Sequence, residues 1–99
     1  MELRVLRYFI AVVDEGSITN AAKVLHVTQP TLSRQLAQLE TEMGAPLLER
    51  GRNGIELTDR GAVLNRYARD ILELANKAEE EVAMPVSSVT GASGKCSSR

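Results

Sequence analysis

Apolar residues at helical spacing predict an amphipathic helix over residues 3–15. Its apolar stripe consists of Leu3, Leu6, Ile10 and Val13, with Phe9 beside it. Gly16 follows directly and can end the helix with a left-handed cap. We therefore expect the chain to begin with a helix that turns one face towards a core.

A second, shorter helix is predicted over residues 18–25. Ser17 offers an N-cap oxygen to its first turn. Ala21 and Ala22 lie in its middle, where small side chains allow another helix to approach closely. The predicted apolar edge of this helix is formed by Val24 and Leu25.

The stretch HVT at residues 26–28 interrupts the helical pattern, and Thr28 can cap a third helix. Pro30 then occupies the second helical position, where its missing N–H has no intrahelical partner to lose. The predicted buried stripe of this helix is Leu32, Leu36, Leu39 and Met43. Gly44 can end the helix, and Pro46 blocks its continuation.

Residues 47–58 no longer follow helical spacing. Asn53-Gly54 supplies residues that accept positive φ, which predicts a β-hairpin. The residues predicted to point inwards are Ile55 and Leu57, with Glu56 pointing outwards.

A long fourth helix is predicted from Thr58, a candidate N-cap, to about Ala83, with Pro85 ending it. The remaining residues, 85–99, are rich in Ser and Gly and have little to bury, so we expect them to be disordered.

Two short helices joined by a tight turn and followed by a hairpin describe a winged helix-turn-helix. We predict a mainly α chain with three parts. These are a winged helix-turn-helix domain at residues 1–58, a linker and dimerisation helix at residues 59–84, and a disordered tail at residues 85–99.

Charge is distributed unevenly along the chain, whose formal net charge is -1. Residues 1–69 carry nine Lys and Arg against eight Asp and Glu, whereas residues 70–84 carry one against five. Because the acidity lies in one late segment, the local placement of charge must decide which partner the chain binds.

Several kinds of site are disfavoured by composition. Cys96 is the single cysteine, which excludes an internal disulfide and fits a reducing compartment. His26 is the single histidine and has no Cys or carboxylate at ligand spacing, so we assign no metal and no cofactor. No apolar run approaches the roughly 20 residues that span a bilayer, and the N-terminus lacks the features of a signal peptide. We expect a cytoplasmic protein with no membrane partner.

The third helix has a polar face opposite its leucines. On a helical wheel this face comprises Pro30, Ser33, Arg34, Ala37, Gln38 and Thr41, and Gln29 projects from the N-terminal end. Arg pairs in a bidentate manner with guanine O6 and N7, and Gln with adenine N6 and N7. Such a helix can lie in a DNA major groove with its apolar face on its own domain. Each of these side chains taken alone could equally be a solvated surface residue.

From residue 2 to about residue 83 the chain resembles the N-terminal DNA-binding module of LysR-type transcriptional regulators. The segments that carry the resemblance are LRYFIAVVDEGSITNAAKVLHVTQPTLSRQLAQLETEMGAPLLER and GIELTDRG. The resemblance implies a winged helix-turn-helix followed by a long linker helix that pairs with its twin. It also implies bacterial transcription control by a homodimer on double-stranded operator DNA with dyad symmetry.

The resemblance further implies roles for individual residues. The predicted base-reading residues are Gln29, Pro30, Thr31, Ser33 and Arg34. The predicted residues at the DNA backbone or on the wing are Thr28, Gln38, Arg50, Arg52 and Asn53. Members of the family continue into a ligand-binding region, which the tail does not resemble, so we assign no small-molecule ligand to this chain. We expect an excised domain, a truncated gene product, or a fragment with a foreign C-terminus.

The fourth helix contains a heptad seam with successive spacings of 4, 3, 4, 3 and 4. Its members are Leu64, Ala68, Ile71, Ala75, Ala78 and Val82. We interpret it as a homodimer seam, antiparallel if the resemblance holds. The alternative is a helix that folds back or frays, which the run Glu79-Glu80-Glu81 favours at the far end.

Three classes of function can be compared. The first is a sequence-specific double-stranded DNA binder that regulates transcription. The second is a helical interaction module that pairs with a full-length regulator without regulating on its own, and the two are compatible. The third is an enzyme, which we do not expect because no base–nucleophile pair, phosphate-binding glycine loop or metal cluster is evident. Three aromatic residues are too few for a stacking platform, which disfavours single-stranded nucleic acid.

Overall fold

The computed structural model describes residues 1–84, so the predicted disorder of residues 85–99 lies outside the described residues. The elements are α1 Leu3–Glu15, α2 Ile18–Leu25, α3 Gln29–Met43, β1 Leu48–Gly51, β2 Gly54–Leu57 and α4 Asp59–Ala83. Three helices, an antiparallel two-stranded hairpin and a long helix confirm the predicted mainly α, winged helix-turn-helix class. None of the helices formed by residues 1–84 is long and apolar enough to cross a bilayer.

The predicted helix caps are confirmed. The side chains of Ser17, Thr28 and Thr58 each accept a hydrogen bond from the backbone N–H three residues later, which satisfies a donor that the helix itself leaves free. Gly16 and Gly44 end α1 and α3 in the left-handed conformation, with φ of 68° and 74°.

His26 ends α2, also in the left-handed conformation, with φ of 61°. Within the described part of the chain, it is the only non-glycine residue with a positive φ. The sequence pattern predicts only an interruption of the helix at this position. The backbone N–H of Val27 donates to the carbonyl of Ala22 at 3.0 Å. This closes the tight turn that joins α2 to α3.

One hydrophobic core lies between α1, α2, α3 and the start of the wing. Its buried members are Val5, Phe9, Val12, Ala21, Ala22, Leu32, Leu36, Leu39 and Leu47. Ala21 and Ala22 are buried in this core beside the larger apolar side chains of α1 and α3, and their small size allows the helices to approach closely.

Three predicted apolar faces are only partly buried. In α1 the predicted Leu6 and Phe9 are buried, and Ile10 and Val13 are half-buried, but Leu3 is 44% exposed. Val5 and Val12 are buried as well and were not part of the predicted stripe. Two neighbouring apolar stripes fit this helix, so periodicity alone does not select the one that faces the core. Val24 is 57% exposed because it lies on the outer side of α2. Met43 is 37% exposed because it is the last residue of α3, where the helix extends past the core.

The hairpin that forms the wing is confirmed, and one of the two residues predicted to accept a positive φ has one. Leu48 pairs with Leu57 and Gly51 with Gly54, so that Arg52 and Asn53 form the loop. The positive φ occurs at Gly54, at 114°, and not at Asn53. The alternation is as predicted: Ile55 and Leu57 are half-buried, and Glu56 is exposed.

The wing is also attached to the loop between α1 and α2. The N–H of Ile55 donates to the carbonyl of Gly16 at 3.0 Å. A Cβ at Gly54 would collide with the same carbonyl oxygen, so a glycine is required there for this approach. The base of the wing is therefore held by backbone contacts as well as by apolar packing.

Candidate nucleic-acid interface

The N-terminal end of α3 is defined by a local hydrogen-bond network. Thr28 Oγ1 accepts from the N–H of Thr31 at 3.3 Å and donates to Thr31 Oγ1 at 2.8 Å. Gln29 and Pro30 follow in the first turn, and both side chains are exposed. The hydroxyl groups of Thr28 and Thr31 thus organise the end of the helix from which Gln29 projects.

The predicted polar face of α3 is exposed along its whole length. Its residues are Pro30, Ser33, Arg34, Ala37, Gln38 and Thr41. The opposite side carries Leu32, Leu36 and Leu39, which are buried. This division orients the polar face outwards because the leucines fix the rotation of the helix on the core.

A surface groove between α3 and the wing brings several predicted site residues together. Gln29 and Ser33 line it from α3, and Arg50 lines it from β1. Ser33 and Arg50 also line an adjoining depression that extends along α3 past Ala37. The groove therefore joins residues that lie about twenty positions apart in the sequence.

Two residues at the N-terminal end of α2 also line the groove and were not among the predicted site residues. Ser17, the N-cap of α2, and Thr19, in its first turn, both line it. Thr19 is exposed, whereas the hydroxyl of Ser17 already accepts from the N–H of Asn20 at 3.1 Å. Their position depends on how α2 packs on α3, so no local sequence pattern indicates it.

The basic side chains of this region have no internal partner. Within residues 1–84, the salt bridges join the N-terminal amine to Glu42, Arg4 to Glu2, and Arg69 to Asp14. None of these involves Arg34, Arg50 or Arg52, whose side chains are exposed. Their guanidinium groups are therefore available to an anionic partner.

Three predicted residues lie apart from the groove. Arg52 and Asn53 form the exposed loop at the tip of the wing. Gln38 lies in a separate depression beside Arg4 and Glu42, on the side of α1. The roles predicted for these residues and for those in the groove remain predictions.

The predicted seam residues of α4 differ in how far they are buried within the single chain. Ala68 is fully buried, and Leu64 packs against the core, so the single chain itself covers both. Ile71 and Ala75 are half-buried, and Ala78 and Val82 are exposed. The seam therefore begins as an intramolecular contact with the winged domain.

A different set of apolar residues on α4 is exposed. Val63, Tyr67 and Leu74 are 48%, 55% and 68% exposed. At 3.6 residues per turn they lie within about 40° of one another around the helix, with Ala78 next to them. We call Val63, Tyr67, Leu74 and Ala78 the outer stripe of α4. The guanidinium of Arg66 lies 5.2 Å from the centre of the Tyr67 ring.

Acidic, histidine and cysteine side chains form no group of three or more that could hold a metal ion in residues 1–84. Each side-chain nitrogen and oxygen atom that is buried in this part of the chain has a hydrogen-bond partner. The exposed polar groups around the groove are thus the prominent chemical feature of the described surface.

Curated relatives resemble the chain over most of its length. The regulator TcbR of Pseudomonas sp. strain P51 is 52% identical over 77 residues, which cover 78% of this chain and 26% of that protein. The regulator BudR of Klebsiella aerogenes is 48% identical over 81 residues, which cover 82% of this chain and 57% of that protein. Both are named as transcriptional regulators rather than enzymes. The chain spans about a quarter of the length of the first curated relatives that it matches.

Solved structures have the same fold. The crystal structure of CbnR, a LysR family transcriptional regulator, gives a TM-score of 0.79 at 49% identity, covering 83% of this chain and 28% of that one. A complex of the BenM DNA-binding domain with benA site 1 DNA gives a TM-score of 0.79 at 45% identity, covering 83% and 95%.

A family model described as bacterial regulatory helix-turn-helix protein, lysR family, matches residues 3–62. This match covers α1, α2, α3, the wing and the start of α4, which is more than half of the chain. The protein therefore belongs to the LysR family of bacterial helix-turn-helix regulators.

Proposed function

We propose that this chain binds double-stranded DNA with sequence specificity, as the DNA-binding module of a LysR-type transcriptional regulator. The observation that carries the proposal is the groove between α3 and the wing, where Gln29, Ser33 and Arg50 meet on one exposed surface. A helix that exposes a polar face and an unpaired arginine has the shape and chemistry required in a major groove. Solved relatives of similar fold are complexes of CbnR and BenM domains with DNA.

The two parts of the surface would perform different tasks. Arg34 and Gln29 project from the first turns of α3, and their side chains can form bidentate pairs with guanine and adenine. Arg50, Arg52 and Asn53 belong to the wing, where contacts with phosphates or the minor groove would set the register without reading most bases. The N–H groups at the start of α3 add a site that favours a phosphate.

We further propose that two copies of the chain pair through α4, so that the operator has dyad symmetry. The support is the outer stripe, because large exposed apolar side chains in a row mark a surface that a partner covers. The stripe replaces the first part of the predicted seam, since Leu64 and Ala68 already pack within the single chain. An antiparallel arrangement would place the two reading helices at a fixed separation.

The test is a selection of duplexes from a random-sequence library by the full 99-residue chain, followed by gel shifts at several salt concentrations. We expect enrichment of one sequence with two inverted half-sites and a steep decrease of affinity with salt. A chain that pairs with a full-length regulator but enriches no duplex would be an interaction module, and DNA binding would be refuted.

A further inference from the structure

Glu40, on α3, accepts a hydrogen bond from every backbone N–H in the connection between α3 and β1, although the N–H of Gly44 also donates to the carbonyl of Thr41 at 3.2 Å. The carbonyl oxygen of Glu40 accepts from the N–H of Gly44 at 2.9 Å and from that of Ala45 at 3.2 Å. Its side-chain Oε2 accepts from the N–H of Leu47 at 2.8 Å and from that of Leu48 at 3.2 Å. Residue 46 is a proline and has no N–H to donate.

The two side-chain bonds have a mechanical consequence. Leu47 is buried in the core, and Leu48 is the first residue of β1. Because one carboxylate oxygen binds both N–H groups, the start of the wing is fixed to the last turn of α3. A charged acceptor makes each of these bonds stronger than a bond to a neutral oxygen.

Glu40 is also close to the candidate interface. It lines the depression that contains Ser33 and Ala37 of α3 and Arg50 of β1. Arg50 lies two residues beyond Leu48 along β1, so the position of its guanidinium relative to α3 depends on where β1 begins. The other strand of the wing is held by the hydrogen bond from the N–H of Ile55 to the carbonyl of Gly16, at 3.0 Å.

We propose that Glu40 is a positioning residue, which holds the wing at a fixed distance and angle from the reading helix so that both can contact DNA simultaneously. The proposal rests on the proposed DNA binding for its purpose, but its structural content can be tested without DNA. This positioning role differs from that of a surface carboxylate that merely repels phosphates.

The first arm measures amide hydrogen exchange in the full chain by NMR. In Glu40→Ala we expect the N–H groups of Leu47 and Leu48 to lose protection by about tenfold or more, since they lose their acceptor. Amides of α1 around Phe9 should keep their protection. Unchanged protection at Leu47 and Leu48 would overturn the proposal.

Two further variants test the length and the charge of the side chain at position 40 separately. They also keep the test decisive if Glu40→Ala fails to fold. Glu40→Gln keeps an oxygen at the same distance, so we expect protection at Leu47 and Leu48 within about threefold of the parent chain. Glu40→Asp keeps the charge but is one methylene shorter, so it should behave as Glu40→Ala does. If Glu40→Asp behaved as the parent chain does, the reach of the side chain would be irrelevant and the proposal wrong.

The second arm is a double-mutant cycle on a duplex that the parent chain enriches from a random-sequence library. We expect Arg50→Ala to weaken binding by about tenfold in the parent chain and by less than about twofold in the Glu40→Ala background. Arg34→Ala, on the reading helix, should have the same effect in both backgrounds.

An undiminished effect of Arg50→Ala in the Glu40→Ala background would refute the coupling. Tighter binding by Glu40→Ala would refute it too, and would identify the carboxylate as a repulsive group. If the parent chain enriches no duplex, the proposed DNA binding fails, whereas the exchange arm still decides whether Glu40 holds the wing.

Discussion

Gly61, in the first turn of α4, lies directly against the backbone carbonyl of Leu47, which precedes β1. A Cβ at position 61 would collide with this carbonyl oxygen and would also press on the Leu57 side chain. The same carbonyl accepts from the N–H of Thr58 at 3.0 Å, and the Thr58 hydroxyl donates to the carbonyl of Pro46 at 2.7 Å. The start of α4 is therefore packed, backbone against backbone, on the segment that leads into the wing.

Because of this contact, we expect Gly61→Ala to change the free energy of unfolding in the direction opposite to the one that helix propensity predicts. In an open helix, replacing glycine by alanine stabilises by about 1 kcal/mol. Here we expect Gly61→Ala to destabilise the chain by about 1–3 kcal/mol, because a backbone atom must move to admit the methyl group. Urea unfolding of the full chain measures the change. Ala62→Gly, at the exposed neighbouring position, is the control and should lose about 1 kcal/mol. A Gly61→Ala chain as stable as its parent would contradict the contact.

Features determined within a few residues could be predicted from the sequence. The caps at Ser17, Thr28 and Thr58 each depend on a hydroxyl and an N–H three residues later, and a local pattern contains both. The buried face of α1 could be predicted only in part, because apolar residues occupy two adjacent stripes and packing determines how much of each is buried. The contact between Gly61 and Leu47 joins residues that no periodicity relates.

The candidate site also has features that the sequence indicates and features that depend on long-range packing. The exposure of Arg34 and Gln29 follows from the leucine stripe of α3, so the sequence indicates it. The meeting of Ser33 with Arg50 in one groove depends on the angle between α3 and the wing. That angle depends on the long-range bonds of Glu40, which a search for functional motifs does not detect.

Arg34 is the residue for which we expect the largest change in base specificity. Arg34→Ala should lower affinity for the enriched duplex by about 1–3 kcal/mol and relax the preference at one base pair. Arg34→Lys is the matched variant: it keeps the charge but loses the planar fork, so it should lose specificity while it retains most affinity for random DNA. Competition gel shifts against single-base variants measure both. Equal losses on the enriched and random duplexes would indicate a phosphate contact instead.

Arg52, at the exposed tip of the wing, should behave in the reverse manner. We expect Arg52→Ala to weaken binding to all duplexes alike and to make the slope of log affinity against log salt shallower by about one unit. Asn53→Ala, at the adjacent loop position, removes no charge and should leave the slope unchanged. A loss at one base pair only would show that Arg52 reads sequence.

The outer stripe of α4 allows a test of dimerisation that does not disturb the single chain. Leu74 is 68% exposed, so an aspartate there meets solvent when the chain is alone. Ile71, in the middle of the predicted seam, is half-buried, and a charge at that position would also weaken its own domain.

Since α4 has 25 residues and α1 has 13, the long helix extends beyond the neighbour on which it packs. Residues 76–83 are all exposed, so nothing in the described part of the chain covers them.

We expect Leu74→Asp to give a folded monomer that binds a half-site weakly, because an aspartate within an apolar interface has no compensating partner. Sedimentation at micromolar concentration measures the assembly state, and circular dichroism reports whether the helices persist. Asn76→Asp is the matched control: it adds the same charge two residues away, on the side of α4 opposite the stripe, and should remain a dimer. A parent chain that sediments as a monomer would refute pairing through α4. A Leu74→Asp chain that remains dimeric would refute the outer stripe as the contact surface, because the substituted side chain would then lie outside the interface.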